Sequence, residues 1–285
     1  MTCRRPIRTV ATVATVASTC LALLAACGGQ STPTASTPPS SAASVNSGTF
    51  TSPSQNLGNG TVKTYVRTDE GGVPVEVGLR LSEGALDGLP ENTPPTDMLM
   101  LDLPDQAAAT AFDHVMMNWN PQGHDPVVLF GKPHFDFHFD MADMATLQSI
   151  DPSDPDYAMK ADHLPDAKYV PQDYLVPPGG SAAEQAVPGM GVHLVDSSDT
   201  SLVPGSYNFQ QIVINGTWDG RYTFVEPMMT RDWLLTKPTL EQQPLKLPQA
   251  YQKKGYYPTT YSVRFDEQAE EYVIAVGGMT MREPS

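Results

Sequence analysis

Three polar side chains alternate with three phenylalanines in the stretch that begins at His134 and ends at Phe139. His134, Asp136 and His138 are each followed by a phenylalanine. This period of two predicts a β-strand, because successive side chains of a strand point to opposite faces. We therefore expect the phenylalanine rings to face a core and the polar row to lie together on the other face.

Histidine and aspartate are metal ligands, and their spacing along a strand limits which of them meet at one ion. Strand residues two apart have Cα atoms about 6.6 Å apart, so both side chains can reach one ion. His134 and His138 are about 13 Å apart on a flat strand, which is too far. We expect Asp136 to bind zinc or a similar divalent metal together with one of these histidines. The candidates to complete the site are His124, His193 and Glu226.

The polar row also has interpretations in which it does not bind a metal directly. A histidine beside a carboxylate can exchange protons near neutral pH, which is compatible with acid–base chemistry. Asp136 can instead orient an imidazole by accepting its N–H. The row can also be an ordinary polar surface, solvated or hydrogen-bonded across strands or at a subunit interface.

The rest of the pattern predicts a mainly β fold, with α+β as the alternative: an antiparallel sheet or sandwich with one or two short helices. Strands are predicted over residues 61–68, 73–81, 98–103 and 127–130. Apolar residues recur at the helical period over residues 106–118, which predicts a helix with His114 on its solvent side. A second, weaker helix is predicted over residues 143–150.

Two later segments supply the other candidate ligands. A glycine-rich stretch leads into a predicted strand that carries His193. Predicted strands over residues 207–215 and 221–226 flank Asp219-Gly220, a strong hairpin signal, and Glu226 ends the second strand. Residues 157–180 show no clear period, and His163 within them is interpreted as an exposed loop histidine.

The N-terminus has the composition of an export signal that ends at a cysteine. Arg4, Arg5 and Arg8 precede an apolar run of small residues, which is followed by Leu24-Ala-Ala-Cys27. This order is typical of a bacterial lipoprotein signal peptide, and we predict that Cys27 carries the lipid. The mature protein is then expected outside the cytoplasm, in the cell envelope, anchored to a membrane by that lipid.

The predicted lipoprotein signal divides the chain into three regions. Residues 1–26 are the predicted signal peptide, and residues 27–55 are a Ser/Thr/Pro-rich segment that we predict to be a flexible tether. Residues 56–285 suit one globular domain, since no second low-complexity linker interrupts them. All of the cysteines lie in or at the end of the signal segment, so we expect no disulfide or thiolate metal site in the mature chain.

The charge of the mature chain excludes one large class of partners. The 17 basic residues, less the three N-terminal arginines, leave 14 against 32 acidic residues, a net charge near −18. Such a surface argues against binding to nucleic acid. The sequence also lacks a phosphate-binding P-loop, a dinucleotide-binding glycine fingerprint and a G-x-S-x-G nucleophile elbow.

Four short motifs occur together in the chain: Trp119-Asn-Pro-x-Gly-His124, Pro133-His-Phe-Asp-Phe-His-Phe139, Pro188-Gly-Met-Gly-Val-His193 and Phe224-Val-Glu-Pro-Met228. Over about residues 60–229 the set resembles a family of exported bacterial proteins. The namesake of that family is a Thermus protein controlled by an extracytoplasmic sigma factor, sigma-E. The resemblance implies an exported, self-associating domain of unassigned function, and it carries no catalytic residue across. Asp140 and Leu194 stand where the family pattern has an aromatic residue.

The sequence therefore predicts a lipid-anchored binding protein with a site for a metal ion or a small polar ligand. The predicted site consists of His134, Asp136, His138, His124, His193 and Glu226. A metal-assisted hydrolase or isomerase, with Asp136 or Glu226 as the base, is the first alternative. The second alternative is a structural envelope protein without a ligand. Whether the protein is an enzyme stays open at this point.

Overall fold

The computed structural model describes residues 47–92 and 98–285. The predicted signal peptide, Cys27 and most of the predicted tether lie outside the described residues. Residues Ser44–Ser285 group into one compact unit. Within the described ranges, every helix is too short or too polar to cross a membrane.

The described residues form sixteen strands, numbered here in chain order. The first eight are β1 (Gly48–Thr51), β2 (Gln55–Leu57), β3 (Gly60–Thr68), β4 (Pro74–Ser82), β5 (Met98–Asp102), β6 (His114–Asn120), β7 (His134–Asp140) and β8 (Tyr174–Leu175). The other eight are β9 (Val192–Asp196), β10 (Gln211–Trp218), β11 (Arg221–Thr230), β12 (Leu240–Pro244), β13 (Gly255–Tyr257), β14 (Thr260–Asp266), β15 (Glu271–Gly277) and β16 (Thr280–Arg282). The predicted mainly β, antiparallel fold is confirmed.

Short helices connect some of the strands. The α-helices are α1 (Val127–Phe130), α2 (Met144–Gln148), α3 (Tyr157–Asp162), α4 (Ala182–Gln185) and α5 (Arg231–Leu234). The prediction of one or two short helices is therefore wrong in number, although α2 confirms the helix predicted over residues 143–150. The other four α-helices have only four to six residues each. Such helices are too short for a hydrophobic period to predict them.

Two seven-stranded antiparallel sheets make up the body of the molecule. The first sheet has the order β1-β3-β4-β15-β14-β12, with β2 also paired to β3. The second sheet has the order β5-β6-β7-β11-β10-β9-β8, and β13 and β16 form a separate pair. The second sheet therefore carries every strand that holds a predicted ligand. Its central pair is β7 and β11, which run antiparallel with Asp136 opposite Met228.

The phenylalanine face of β7 joins the two sheets. Phe135, Phe137 and Phe139 are fully buried in one cluster with residues of the first sheet, including Leu79 and Ile274. Burial of each ring removes a large apolar surface from water, so this row supplies much of the driving force that holds the sheets together. The expectation that the rings face a core is confirmed.

The segment before the central strand differs from the prediction. A single 3-10 turn covers Asp105–Ala107, and strand β6 occupies much of the stretch predicted as a helix over residues 106–118. Val115 pairs with Phe139, and Met117 pairs with Phe137. Nearly every residue of β6 is buried on one face or the other. A strand buried on both faces loses the apolar and polar alternation, so its apolar residues matched the helical period instead.

Two further predictions are corrected by the described elements. Residues 127–130, predicted as a strand, form α1, because the backbone N–H groups of Leu129 and Phe130 bond to the Pro126 carbonyl. Strand β1 lies inside the predicted tether, where Gly48 pairs with Thr68, and β2 begins at the last tether residue, Gln55. The tether prediction, drawn from composition alone, is thus wrong from Gly48 onward. The hairpin at Asp219-Gly220 is confirmed between β10 and β11.

Replacing Phe137 by alanine tests whether the phenylalanine row holds the two sheets together. We expect the free energy of unfolding to fall by about 3–5 kcal/mol, because a fully buried ring leaves a cavity between the sheets. Urea denaturation measures this loss. The matched control is Val128→Ala, at a side chain that is 58% exposed, where a change within about 0.5 kcal/mol is expected. An equal effect of both substitutions would contradict the role of the phenylalanine row in holding the two sheets together.

Candidate metal centre

The polar face of β7 is buried rather than solvated. His134, Asp136 and His138 lie on the face opposite the phenylalanine rings, and each has less than a tenth of its surface exposed. Across the strand pair, Asn120 of β6 stands opposite His134, and Met116 stands opposite His138. The interpretation of this row as a solvated surface is therefore wrong, whereas the predicted hydrogen bonding across strands occurs between Asn120 and Asp136. A buried polar row needs partners, and two separate groups of side chains provide them.

His124, His134 and Asp136 form the first group, called the Asp136 group below. His134 Nε2 lies 3.1 Å from Asp136 Oδ1, and His124 Nε2 lies 3.5 Å from Asp136 Oδ2. The two imidazoles meet edge to face with centroids 4.7 Å apart. The pairing of Asp136 with a histidine two residues away follows from their position on one face of the strand, as the sequence predicted.

Backbone carbonyls fix the ring orientation of both histidines in this group. His134 Nδ1 lies 2.6 Å from the Lys132 carbonyl, and His124 Nδ1 lies 2.8 Å from the Asp125 carbonyl. A carbonyl only accepts hydrogen bonds, so each Nδ1 carries the proton and donates. In the neutral ring, Nε2 then presents a lone pair towards Asp136. This arrangement is the usual one for a histidine that binds a metal through Nε2.

The loop before α1 brings His124 to the strand. Gly123 has a φ of +68°, a left-handed conformation that favours glycine, and an added Cβ would overlap the Phe130 carbonyl. The His124 N–H donates to that same carbonyl at 3.2 Å. The turn and this hydrogen bond place the His124 ring beside β7. Phe130 and Phe209 pack edge-on or tilted against the two imidazoles and form an apolar wall.

Asn120 is a site residue that the sequence reasoning missed. Its Nδ2 donates to Asp136 Oδ2 at 2.6 Å, and both side chains are buried. This bond holds the carboxylate in one orientation and leaves Oδ1 directed at His134. The signal was present in the sequence, because Asn118 and Asn120 alternate with Trp119 just as the β7 row alternates with phenylalanine. Because a helix is predicted over this stretch, the alternation was not interpreted as a strand.

Opposite charges dominate the Asp136 group. Burial raises the pKa of Asp136, but the charge of His134 and the contact with His124 outweigh burial and hold that pKa below its ordinary value. Burial lowers the pKa of His124, but its contact with Asp136 outweighs burial and raises that pKa. Without a metal, the group therefore favours an ionised Asp136 and the protonated form of His124.

His138, His193 and Glu226 form the second group, called the Glu226 group below. His138 Nε2 lies 3.4 Å from Glu226 Oε1, and His193 Nε2 lies 3.6 Å from Glu226 Oε2. The two Nε2 atoms lie 3.5 Å apart. These side chains come from β7, β9 and β11, so three strands of one sheet converge on the group.

A glycine on β10 permits this convergence. Gly216 pairs with His193 on one side and with Phe224 on the other. A Cβ at Gly216 would overlap the Phe224 ring, so only glycine leaves room for the ring in this position. Phe224 then packs against His138 and His193, with ring centroids 4.8 and 5.0 Å away. This ring is the apolar wall of the Glu226 group.

Burial shifts the pKa values of the Glu226 group towards the neutral forms of its side chains, the opposite of the Asp136 group. Burial, helped by the charges of Asp136 and Asp140, raises the pKa of Glu226 well above its ordinary value. Burial and the neighbouring His193 lower the pKa of His138 to about 3. Burial and His124 lower the pKa of His193 to about 4. Without a metal, burial therefore favours the neutral forms of all three side chains of this group.

The structure places the predicted ligands in two groups rather than in one. His134 and His138 belong to different groups, as their separation along the strand predicted. The single site expected from the sequence is replaced by two three-residue groups that share β7. His124 joins Asp136, whereas His193 and Glu226 join His138. All six predicted ligands lie in one group or the other.

Two histidines lie outside both groups. His114, predicted on the solvent side of a helix, is buried on β6, with Nε2 3.4 Å from Asp140 Oδ2 and Nδ1 3.0 Å from Asp113 Oδ1. The solvent-side prediction is wrong because the helix is a strand buried on both faces. His163 is 65% exposed and contacts Asp219, which agrees with its interpretation as a loop histidine.

Ligand atoms around one tetrahedral ion, at metal–ligand distances of about 2.0–2.1 Å, lie about 3.3–3.4 Å apart. The nitrogen–oxygen contacts within both groups, 3.1 to 3.6 Å, are close to that spacing, and in each group the two imidazoles approach different oxygens of the carboxylate. Two imidazoles and one carboxylate are also the donor set of several zinc and non-haem iron sites. Fold and site together define a two-sheet, mainly β protein with two His/His/carboxylate groups that could each hold a metal.

A family model described as "TTHB210-like: Hypothetical protein TTHB210" matches residues 69–119 of this chain. The match confirms the family resemblance indicated by the sequence motifs, over a stretch from the turn after β3 to Trp119 in β6. All six candidate ligands follow the matched stretch, so the match carries no argument about the metal groups. Searches of curated proteins and of solved structures gave no match.

The substitution Glu226→Gln tests the raised pKa of Glu226 in metal-free protein. The folded-state pKa exceeds the unfolded one, so Glu226 stabilises the fold below its ordinary pKa and loses that contribution as pH rises. In chelator, as the pH rises above the ordinary pKa of a glutamate, we expect wild type to lose up to about 1.4 kcal/mol per pH unit more than the variant. Urea denaturation at each pH measures this difference. Parallel stability profiles would show that Glu226 is already ionised.

Proposed function

We propose that this chain is a lipid-anchored protein of the cell envelope that binds divalent transition-metal ions outside the cytoplasm. The observation that supports the proposal is the same in both groups. In each group one buried carboxylate oxygen, Asp136 Oδ1 or Glu226 Oε2, has no backbone or amide N–H as its partner among the described residues. Each of these oxygens faces an imidazole Nε2 within 3.6 Å. A cation between them satisfies the carboxylate and both nitrogens at once.

The energetic argument rests on burial. A polar oxygen without a hydrogen-bond partner inside a protein loses its hydration, which costs on the order of 1–3 kcal/mol. Glu226 Oε2 is such an oxygen, since the nearest imidazole nitrogen, His193 Nε2, is 3.6 Å away. A bound divalent ion removes that cost and gains several ligand bonds. Proteins retain buried groups of this kind where they bind an ion or do chemistry.

The donor set limits which metals fit. Each group offers two imidazole nitrogens and one carboxylate, and the mature chain contributes no cysteine apart from Cys27. Nitrogen and oxygen donors suit zinc, iron(II), cobalt and manganese, whereas copper(I) favours sulfur. Calcium and magnesium favour all-oxygen sites. The expected cargo or cofactor is thus a zinc-like divalent ion.

A metal-assisted hydrolase remains the second candidate function. Three protein ligands leave the fourth position of a tetrahedral ion open for water or substrate, as in catalytic zinc sites. This version differs from the one drawn from the sequence, because Asp136 and Glu226 both lie among the ligand atoms. Neither is a free base, so a metal-bound water would be the nucleophile.

Counting ions tests the metal proposal. We expect chelator-treated protein, reloaded with zinc or manganese and desalted, to hold two ions per chain by elemental analysis. His124→Ala and His193→Ala each remove a partly exposed ligand, and each variant should keep one ion. His163→Ala is the matched control and should keep two. Protein that takes up no stoichiometric ion would contradict the proposed function.

The substitution Asn120→Ala tests whether Asn120 orients the Asp136 carboxylate. We expect the Asp136 group to bind its ion about 10–100-fold more weakly, because ligand-orienting partners typically contribute that much to affinity. The Glu226 group should keep its affinity, since Asn120 contacts Asp136 and not Glu226. Competition with a chromogenic chelator measures both affinities. Equal weakening of both groups would indicate a general loss of structure instead.

Cys27→Ser tests the envelope part of the proposal. In bacteria grown with a labelled fatty acid, we expect wild-type chain to carry the label and to sediment with membranes. The variant should carry no label, because the acyl chain is attached to the Cys27 sulfur. Its signal peptide should also remain uncleaved. Labelling of the variant would exclude Cys27 as the lipid site.

A further inference from the structure

A cavity of about 300 Å³ is lined by residues that belong to neither metal group. Its lining comes from the stretch that follows β7 and enters α2, from the first residues of β11 and from residues 250–253. Small-molecule pockets in proteins have volumes of about 300–1,000 Å³. This cavity therefore has room for a small organic ligand.

Hydrogen bonds hold part of the lining in place without a ligand. The Tyr222 N–H donates to Gln252 Oε1 at 3.1 Å, and Gln252 Nε2 donates to the Gly220 carbonyl at 2.7 Å. The Tyr257 hydroxyl donates to the Lys253 carbonyl at 2.9 Å. Residues 252 and 253 are thereby tied to the β10–β11 hairpin and to β13. A ligand that enters a preformed cavity loses little affinity to ordering of the protein.

Tyrosine rings form an apolar part of the lining. Tyr251 and Tyr257 are each less than a tenth exposed, and their ring centroids lie 4.4 Å apart. Met141 packs against the cluster that contains this pair. All three side chains line the cavity. Such a wall suits the apolar or aromatic part of a ligand.

Two cationic side chains of the lining have no carboxylate partner. Arg221 and Lys253 are exposed, and neither forms an ion pair with a carboxylate among the described residues. By contrast, the next residue, Lys254, lies 2.6 Å from Glu283 Oε1 and does not line the cavity. Unpaired cations at one cavity are unexpected in a chain with 17 basic against 32 acidic residues. Arg221 and Lys253 are therefore free to bind a negatively charged group of a ligand.

Two carboxylates line the same cavity. Asp113 Oδ1 lies 3.0 Å from His114 Nδ1. Asp143 Oδ1 accepts the Thr146 N–H at 2.8 Å. These contacts orient both carboxylates, so two positive and two negative side chains line the cavity together. A ligand with a single charge is attracted by one pair and repelled by the other, whereas a zwitterion can place each of its charges beside side chains of opposite sign.

We propose that this cavity is a binding site for a small zwitterion with an apolar side chain, either a free amino acid or a short peptide. The carboxylate of the ligand binds Arg221 and Lys253, and its ammonium group binds Asp113 and Asp143. The apolar side chain of the ligand packs against the tyrosine pair. The site uses none of the candidate metal ligands, so it is independent of the proposed metal binding.

Calorimetry with L-phenylalanine tests the site. The mature chain is kept in chelator, so that the amino acid cannot bind through a metal ion, and it should bind one molecule per chain. Phenylpropionate lacks the ammonium group, and phenethylamine lacks the carboxylate. Each analogue should bind at least about tenfold more weakly than phenylalanine, because it loses a charged contact.

Substitutions in the lining should change this selectivity. Arg221→Gln combined with Lys253→Gln should weaken phenylalanine binding at least about tenfold and should not weaken phenethylamine binding. Asp113→Asn should weaken the binding of phenylalanine and of phenethylamine, but not that of phenylpropionate. All three side chains are exposed, so the variants should fold. Lys254→Gln is the matched control and should bind phenylalanine as wild type does.

The outcomes decide the proposal. Wild type that binds neither phenylalanine, nor leucine, nor the dipeptide Ala-Phe would overturn it. An analogue with one charge that binds as tightly as phenylalanine would overturn it too, and so would unchanged binding of phenylalanine to the double variant. A dipeptide that binds more tightly than phenylalanine would identify the ligand as a short peptide, and weaker binding of the dipeptide would identify it as a free amino acid.

Discussion

Two carboxylates withdrawn from water are the constraint around which the polar face of the second sheet is arranged. Asp136 stays ionised because His134, His124 and Asn120 surround it with charge and hydrogen bonding. Glu226 lacks such compensation, so burial raises its pKa. The carboxyl pKa values of two similar donor sets are therefore shifted in opposite directions before a metal binds. The two carboxyl groups differ because only Asp136 has charged partners close to it. A carboxylate ionises inside a protein only where a counter-charge is close.

Strand β7 serves stability and chemistry with its two faces. The rings of Phe135, Phe137 and Phe139 join the sheets, while the intervening polar residues divide between the metal groups. Because the side chains alternate, a shift of one residue in the β7 register would place the polar row between the sheets and the rings among the metal groups. The cost of that exchange fixes the register. The ligand geometry is thus set by the same apolar packing that stabilises the fold.

The local part of this arrangement could be predicted from the sequence, and the non-local part could not. The β7 strand, its two faces and the separation of His134 from His138 follow from a period of two. The meeting of His138 with His193 depends on pairing across β11, β10 and β9, which no local pattern encodes. Strand β6 was mistaken for a helix because both of its faces are buried. Because the sequence predicts a helix there, it indicates neither Asn120 as a site residue nor the burial of His114.

Each group combines fixed ligands with one ligand from the periphery. His134, Asp136, His138 and Glu226 belong to the paired strands β7 and β11, whose positions the core determines. His124 depends on a turn at Gly123, and His193 depends on a three-residue pairing of β9 with β10. A bound ion would connect these peripheral elements to the central strands. Metal binding then becomes part of the folding free energy of the outer sheet. The exposed histidines would control entry to the site and, once bound, hold it together.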